Sequence, residues 1–117
     1  MKNQPFKKKI LNASNGVRFA WRNENNFRAH IALGLFTLGF FLFVQPTLVW
    51  WALIILCITL VIAAELTNSA LEALADHLHP EIHPAVGAAK DMMAAMVLIM
   101  SLAAALVALF ALLDTIA

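Results

Sequence analysis

The sequence predicts an all-α membrane protein in which an N-terminal amphipathic helix precedes three transmembrane helices. Of its 117 residues, 62% are hydrophobic and only 13% are charged, whereas a soluble domain carries about 25% charged residues. Residues 1–30 contain seven of the eight lysines and arginines, and residues 31–64 contain no charged side chain. A basic terminus followed by long apolar runs indicates a membrane protein rather than a nucleic-acid-binding protein. The length suits a single membrane domain, 1–117.

The first element is a predicted interfacial helix over residues 1–28. Apolar side chains such as Phe6, Ile10 and Val17 recur at helical spacing, and Lys7 and Lys8 fall on the other side. A helix of this kind lies in the plane of the membrane surface with its lysines facing anionic lipid. A simple basic anchor explains the segment equally well when it is considered alone.

The three apolar segments are predicted to span the membrane at about residues 29–44, 48–75 and 91–114. A spanning helix needs about 20 apolar residues, and the uncharged run is too long for one span. Gln45-Pro46 divides it, because proline disfavours helical geometry in the residue before it. Lysines and arginines precede the first span, which predicts a cytoplasmic N-terminus.

A polar stripe follows the second span. Glu65, Asn68, Glu72 and Asp76 are separated by steps of three, four and four residues, so they share one helix face. A carboxylate within a membrane is costly and indicates function by default. Glu65 is therefore predicted to be a functional acid, whereas Asp76 is interpreted as a solvated acid at the helix exit.

Other charged residues lie next to the first and third spans. Glu24 and Glu72 together suit Mg²⁺, which takes only one or two protein carboxylates. Lys90 could contact phosphates and Asp91 could orient it, although each of these residues alone is more often an ordinary surface group. The sequence has no glycine-rich phosphate-binding loop, so any nucleotide would be held by metal and lysine instead.

Three segments together resemble the small bacterial diacylglycerol kinase family, which also includes undecaprenol kinases. They are residues 20–28 (AWRNENNFR), 65–76 (ELTNSALEALAD) and 89–92 (AKDM). The similarity covers about residues 8–100. Membership implies a homotrimer that uses MgATP at composite sites on the cytoplasmic side of the bacterial inner membrane.

The resemblance also implies a role for each matching residue. Glu65 would be the catalytic base, Asn68 would support it, and Glu24 and Glu72 would bind the metal. The nucleotide would be contacted by Glu24, Glu72, Glu81, His83, Lys90 and Asp91. The lipid substrate would lie near Trp21, Phe27, Arg28, Glu65 and Ala94.

The function implied is ATP-dependent phosphorylation of diacylglycerol to phosphatidic acid at the cytoplasmic membrane interface. An undecaprenol kinase is the alternative within the family. A small proton- or cation-coupled transporter is a more distant alternative, in which Glu65 would act as an ion relay. Glu72 and Lys90 favour a kinase, because a transporter has little need for a second acid and a lysine at one membrane level. A non-catalytic packing subunit would not need Glu65 at all.

Overall fold

The computed structural model describes residues 3–117 and consists of four α-helices. Within that part of the chain there are no strands. The predicted all-α class, with one amphipathic helix and three long apolar helices, is confirmed. Met1 and Lys2 of the predicted interfacial segment lie outside the described residues. The helices are α1 (Phe6–Asn23), α2 (Asn25–Val44), α3 (Leu48–Leu78) and α4 (Pro84–Ile116).

Helices α2, α3 and α4 are each long and apolar enough to cross a membrane. They contain 20, 31 and 33 residues respectively, and about 20 residues at 1.5 Å each cover the hydrocarbon layer. Helices α3 and α4 therefore continue beyond an apolar span, and these extensions carry the charged residues of the polar stripe and of the 90–91 pair. Their outward faces expose large apolar side chains suited to lipid, among them Leu35, Phe36, Phe43, Ile55, Leu98 and Ile99.

The connection between α2 and α3 is a tight turn. Gln45 adopts a left-handed conformation with φ 55°, and its backbone N–H donates a 2.8 Å hydrogen bond to the carbonyl of Phe41. This geometry satisfies a carbonyl at the end of α2. Pro46 then prevents the helix from continuing, so α3 folds back against α2.

The main apolar cluster lies at this turn, where α2, α3 and the end of α4 meet. Phe41, Ile54 and Ala111 are almost completely buried there. Trp50 donates from Nε1 to Asp114 Oδ2 at 2.8 Å, which joins the start of α3 to the end of α4. The charged residues of the polar stripe lie at the opposite end of α3, so the molecule has a packed end and a polar end.

Helices α2 and α3 approach closely at Gly34. A Cβ atom placed on this glycine would lie 2.9 Å from Ile58 Cγ2, which is closer than carbon atoms normally pack. A small residue at this position allows the two backbones to come together, as small residues do between membrane helices.

Candidate active site

The deepest member of the polar stripe is also its most buried carboxylate. Glu65 on α3 is only 3% exposed, and Asn68 and Ser69 beside it are each 8% exposed. In the described part of the chain, Asn68 Oδ1 is buried without a hydrogen-bond partner. Buried polar atoms are normally bonded, so an unbonded oxygen one turn from Glu65 suits contact with a hydroxyl or water that enters the site.

A histidine that sequence reasoning did not assign faces this acid from the neighbouring helix. His30 Nε2 on α2 lies 3.6 Å from Glu65 Oε2. This distance is too long for a hydrogen bond but short enough for a strong electrostatic interaction. The signal available in the sequence was a histidine at the start of an apolar span, where ionisable side chains are rare.

The electrostatic neighbours of Glu65 include both predicted metal ligands, Glu24 and Glu72. They reach it from different elements, because Glu24 occupies the extended break between α1 and α2 and Glu72 is two turns further along α3 than Glu65. The charges of Glu24 and Glu72 thus act on Glu65 from two different elements.

Glu24 and Glu72 suit magnesium, which takes few protein ligands, better than a metal whose ligands all come from protein side chains. No cluster of three or more histidine, cysteine or acidic side chains suited to a metal occurs among residues 3–117. Two carboxylates are nevertheless enough for Mg²⁺, whose other ligands are commonly water and substrate phosphates. Glu24 and Glu72 supply the hard oxygen donors that this ion prefers.

The predicted phosphate-binding lysine is held by the last acid of the stripe. Lys90 Nζ on α4 is bonded to Asp76 Oδ1 on α3, and Lys90 also interacts electrostatically with Glu72. Asp76 remains 66% exposed, so it is both solvated and paired. Through this pair the start of α4 is joined to the end of α3, and Lys90 lies on the same side as the acids.

The remaining predicted nucleotide-contacting residues lie around the connection between α3 and α4. His83 caps α4, because its Nδ1 accepts a 3.1 Å hydrogen bond from the backbone N–H of Ala85. Glu81 and Asp91 are exposed, as is Ala94, which was predicted to lie near the lipid. This arrangement leaves an open polar surface next to Lys90.

The predicted lipid-contacting residues near the first span have different environments. Phe27 is 1% exposed, whereas Trp21 is 48% exposed. The Arg28 guanidinium donates to the backbone carbonyls of Trp21 at 2.6 Å and of Arg22 at 3.3 Å. Arg28 therefore satisfies the end of α1 and fixes the break at Glu24, since the last carbonyls of a helix lack partners within it.

Two clefts open beside the site residues Glu24 and His30. The larger, about 470 Å³, lies between α1 and α3 and includes Glu24 and Ser69 in its otherwise mainly apolar lining. The other, about 230 Å³, extends between α2, α3 and α4 from His30 past Gly34 and Ser101. A polar centre with apolar clefts beside it can accept a molecule that has one polar group and a long hydrocarbon portion.

A polytopic membrane protein with a buried carboxylate, two shallower acids and an adjacent lysine is suited to chemistry at the end of a membrane-embedded molecule. The sequence pattern of the family described as prokaryotic diacylglycerol kinase matches residues 11–112. Because this match covers most of the chain, the protein belongs to that family.

Individual relatives agree with this assignment. The chain is 34% identical to a diacylglycerol kinase of Helicobacter pylori over 92 residues, which cover 79% of this chain and 72% of the relative. It is 37% identical to a diacylglycerol kinase of Escherichia coli over 84 residues, covering 72% and 69%. An undecaprenol kinase of Bacillus subtilis is 30% identical over 104 residues, covering 89% and 85%.

The family assignment confirms three predictions from the sequence. The protein is a multi-pass membrane enzyme, it is a kinase that phosphorylates a lipid alcohol, and its reaction depends on a nucleotide. The assignment favours the kinase over the transporter and the packing subunit. The roles of the individual side chains stay predictions.

Proposed function

We propose that this protein transfers the γ-phosphoryl group of MgATP to diacylglycerol, producing phosphatidic acid at the cytoplasmic face of the bacterial inner membrane. The observation that carries the proposal is the buried Glu65 carboxylate, with Glu24 and Glu72 within electrostatic range. A buried base at the membrane boundary can reach a lipid hydroxyl. The shallower acids and Lys90 lie towards water, from which a nucleotide arrives.

In the proposed reaction, Glu65 accepts the proton of the lipid hydroxyl while the hydroxyl oxygen attacks the γ-phosphorus. The bond from the γ-phosphorus to its bridging oxygen breaks, and ADP leaves. Such a transfer depends mainly on positioning and electrostatics, and a positioned general base typically contributes about 10²- to 10⁴-fold. Asn68 lies on the face of α3 that carries Glu65 and would orient the hydroxyl.

The negative charge of the nucleotide would be neutralised in the outer part of the site. Glu24 and Glu72 would hold magnesium, which when bound neutralises negative charge on the phosphates. Lys90 would contact the phosphates directly, with Asp91, Glu81 and His83 around the remainder of the nucleotide. A separate lysine is needed in this role because the chain lacks a glycine-rich loop to supply backbone donors.

Undecaprenol is the second candidate acceptor, because an undecaprenol kinase of Bacillus subtilis aligns with more of this chain than the diacylglycerol kinases do, at lower identity. It aligns over 104 residues at 30% identity, compared with 92 residues at 34% for Helicobacter pylori and 84 at 37% for Escherichia coli. Both acceptors are membrane alcohols, so the same acid and the same proton transfer serve either one. The difference between them lies in the hydrocarbon portion.

We also infer a homotrimer with the N-terminus in the cytoplasm. The lysines and arginines near the N-terminus support this orientation. Exposed apolar side chains cover the outer faces of α2, α3 and α4, and three helices enclose little interior by themselves. Association of copies would shield the clefts beside Glu24 and His30 and complete the walls of the site.

The proposal is tested with the purified full-length chain in mixed micelles. MgATP is supplied together with diacylglycerol, undecaprenol or no lipid, and both ADP and the lipid phosphate are measured. We expect lipid-dependent ADP release with an equal amount of lipid phosphate. Faster turnover of undecaprenol would identify undecaprenol as the acceptor. If neither lipid is phosphorylated, the proposed function is refuted.

A further inference from the structure

Glu65 is buried, so its ionised carboxylate needs a neighbouring group that balances its negative charge. An isolated ionised carboxylate is strongly disfavoured away from water, yet a general base must be ionised before it can accept a proton. The described groups that act on its charge are His30 from α2, Glu24 from the α1–α2 break and Glu72 from α3. The nearby cation of α4, Lys90, is bonded to Asp76 and interacts with Glu72.

Among the groups that act on Glu65, His30 alone has the opposite sign when it is protonated. Glu24 and Glu72 are negative and oppose ionisation of their neighbour. We propose that protonated His30 is a positioning residue that keeps the Glu65 carboxylate ionised and oriented in its buried site. This inference rests on the proposed function, because it assigns His30 a role through the base of that reaction.

The contact suits this role because it is directed at one carboxylate oxygen. His30 Nε2 faces Glu65 Oε2 at 3.6 Å, so we assign the substrate hydroxyl to Oε1. At this separation the ring can stabilise the charge without donating a hydrogen bond that would compete with the hydroxyl. No proton leaves His30 in the step, and the hydroxyl proton ends on Glu65.

The packing of α2 on α3 holds the two side chains opposite each other. Gly34 is one helical turn beyond His30, and Ile58 is two turns before Glu65, so each pair shares a helix face. The close approach of Gly34 and Ile58 therefore lies one to two helical turns from the ion pair, towards the packed end of the molecule. His30 itself is partly buried, with a side chain that is 23% exposed, which limits competition from water.

The first test compares the full chain with His30→Gln, which removes the charge, and His30→Lys, which restores a cation. The matched control is His77→Gln, because His77 is an exposed histidine at the end of α3. Turnover of diacylglycerol and of undecaprenol is measured from acidic to alkaline pH. On the acidic limb of the profile we expect His30→Gln to lower kcat about 10-fold, because the ionised fraction of the base falls tenfold there when its titration moves by one pH unit.

The pH profile separates a charge effect from a structural one. Without the cation, Glu65 ionises only at higher pH, so the acidic limb of the kcat profile of His30→Gln should move upward and the rate should recover at alkaline pH. The KM for ATP should stay constant, and His30→Lys should recover most of the activity. An unchanged profile in His30→Gln, or a loss of activity that alkaline pH does not reverse, would overturn the proposal.

A second measurement does not depend on turnover. The infrared band of the protonated Glu65 carboxyl group is assigned by its loss in Glu65→Gln and followed as a function of pH. We expect His30→Gln, but not His77→Gln, to move its appearance to higher pH. An identical titration in the wild type and His30→Gln would refute the pairing. A shifted band in a protein that phosphorylates no lipid would refute the proposed function while supporting the pair.

Discussion

Lys90 at the start of α4 is bonded to Asp76 near the end of α3, across the connection formed by residues 79–83. The lysine side chain is one-third exposed and the aspartate two-thirds exposed, so solvent weakens their attraction. An ion pair as exposed as this one contributes little to stability. The main effect of the pair is to position the Lys90 ammonium beside Glu72, and its effect on stability is smaller.

Asp76→Asn should weaken nucleotide binding without removing the chemistry. Loss of the carboxylate charge lets Lys90 leave its position, which should raise the KM for ATP by about 2- to 5-fold. The kcat should change little, and Asp114→Asn at the opposite end of the bundle is the matched control. A fall in kcat as large as that of Glu65→Gln would show that Asp76 takes part in the chemical step.

Substitution of Gly34 should loosen the packing between α2 and α3. In Gly34→Ala the new methyl group would lie 2.9 Å from Ile58 Cγ2, and overpacking of this kind typically costs about 1–3 kcal/mol. Gly39→Ala is the control, since a Cβ atom there meets nothing within 4 Å. Unfolding in mixed micelles of increasing denaturing-detergent content measures the difference. Equal stability of the two variants would contradict the close approach.

The fold was predictable because its main determinant is the length and composition of apolar runs. Gln45-Pro46 indicated where the first uncharged stretch divides, and the left-handed Gln45 explains how the chain turns there. The stripe on α3 was also predictable, since residues three and four apart must share a helix face. Its burial gradient follows from helix direction, with Glu65 buried and Asp76 exposed.

Contacts between helices could not be predicted in the same way. The pairing of His30 with Glu65 depends on how α2 is rotated against α3, which is fixed by the approach of Gly34 to Ile58 and not by any spacing within one helix. The Lys90–Asp76 pair likewise depends on the path of residues 79–83. The sequence therefore identified the acids of the candidate site but missed the histidine that faces the deepest one.

Trp50→Phe should reduce stability while preserving activity. The change removes the 2.8 Å hydrogen bond from Trp50 Nε1 to Asp114 Oδ2 but retains an aromatic ring at the packed end of the bundle. A typical loss is about 0.5–1.5 kcal/mol, measured by thermal unfolding in detergent. Lipid phosphorylation at a temperature well below unfolding should be normal. A selective loss of activity with unchanged stability would contradict the separation between the packed and polar ends.

Glu24→Gln and Glu72→Gln should each increase the concentration of magnesium needed for activity. Each variant keeps the side-chain size but removes one anionic oxygen donor, and hard divalent cations depend on such donors. Magnesium titrations at fixed ATP should show half-maximal activity shifted upward at least about 10-fold, since a pair of carboxylates is reduced to one. Asp114→Asn again serves as the control. An unchanged magnesium requirement would show that these acids are not ligands.

The role of Glu65 as the base is measured most directly by the lipid-dependent turnover of Glu65→Gln at saturating MgATP and lipid alcohol. The amide is nearly the same size as the carboxylate but cannot accept the hydroxyl proton. We predict that kcat falls at least about 100-fold, the lower range for loss of a general base, while ATP binding and helical content match the wild type. Turnover within a few-fold of the wild type would show that the buried acid at the membrane boundary is not the base.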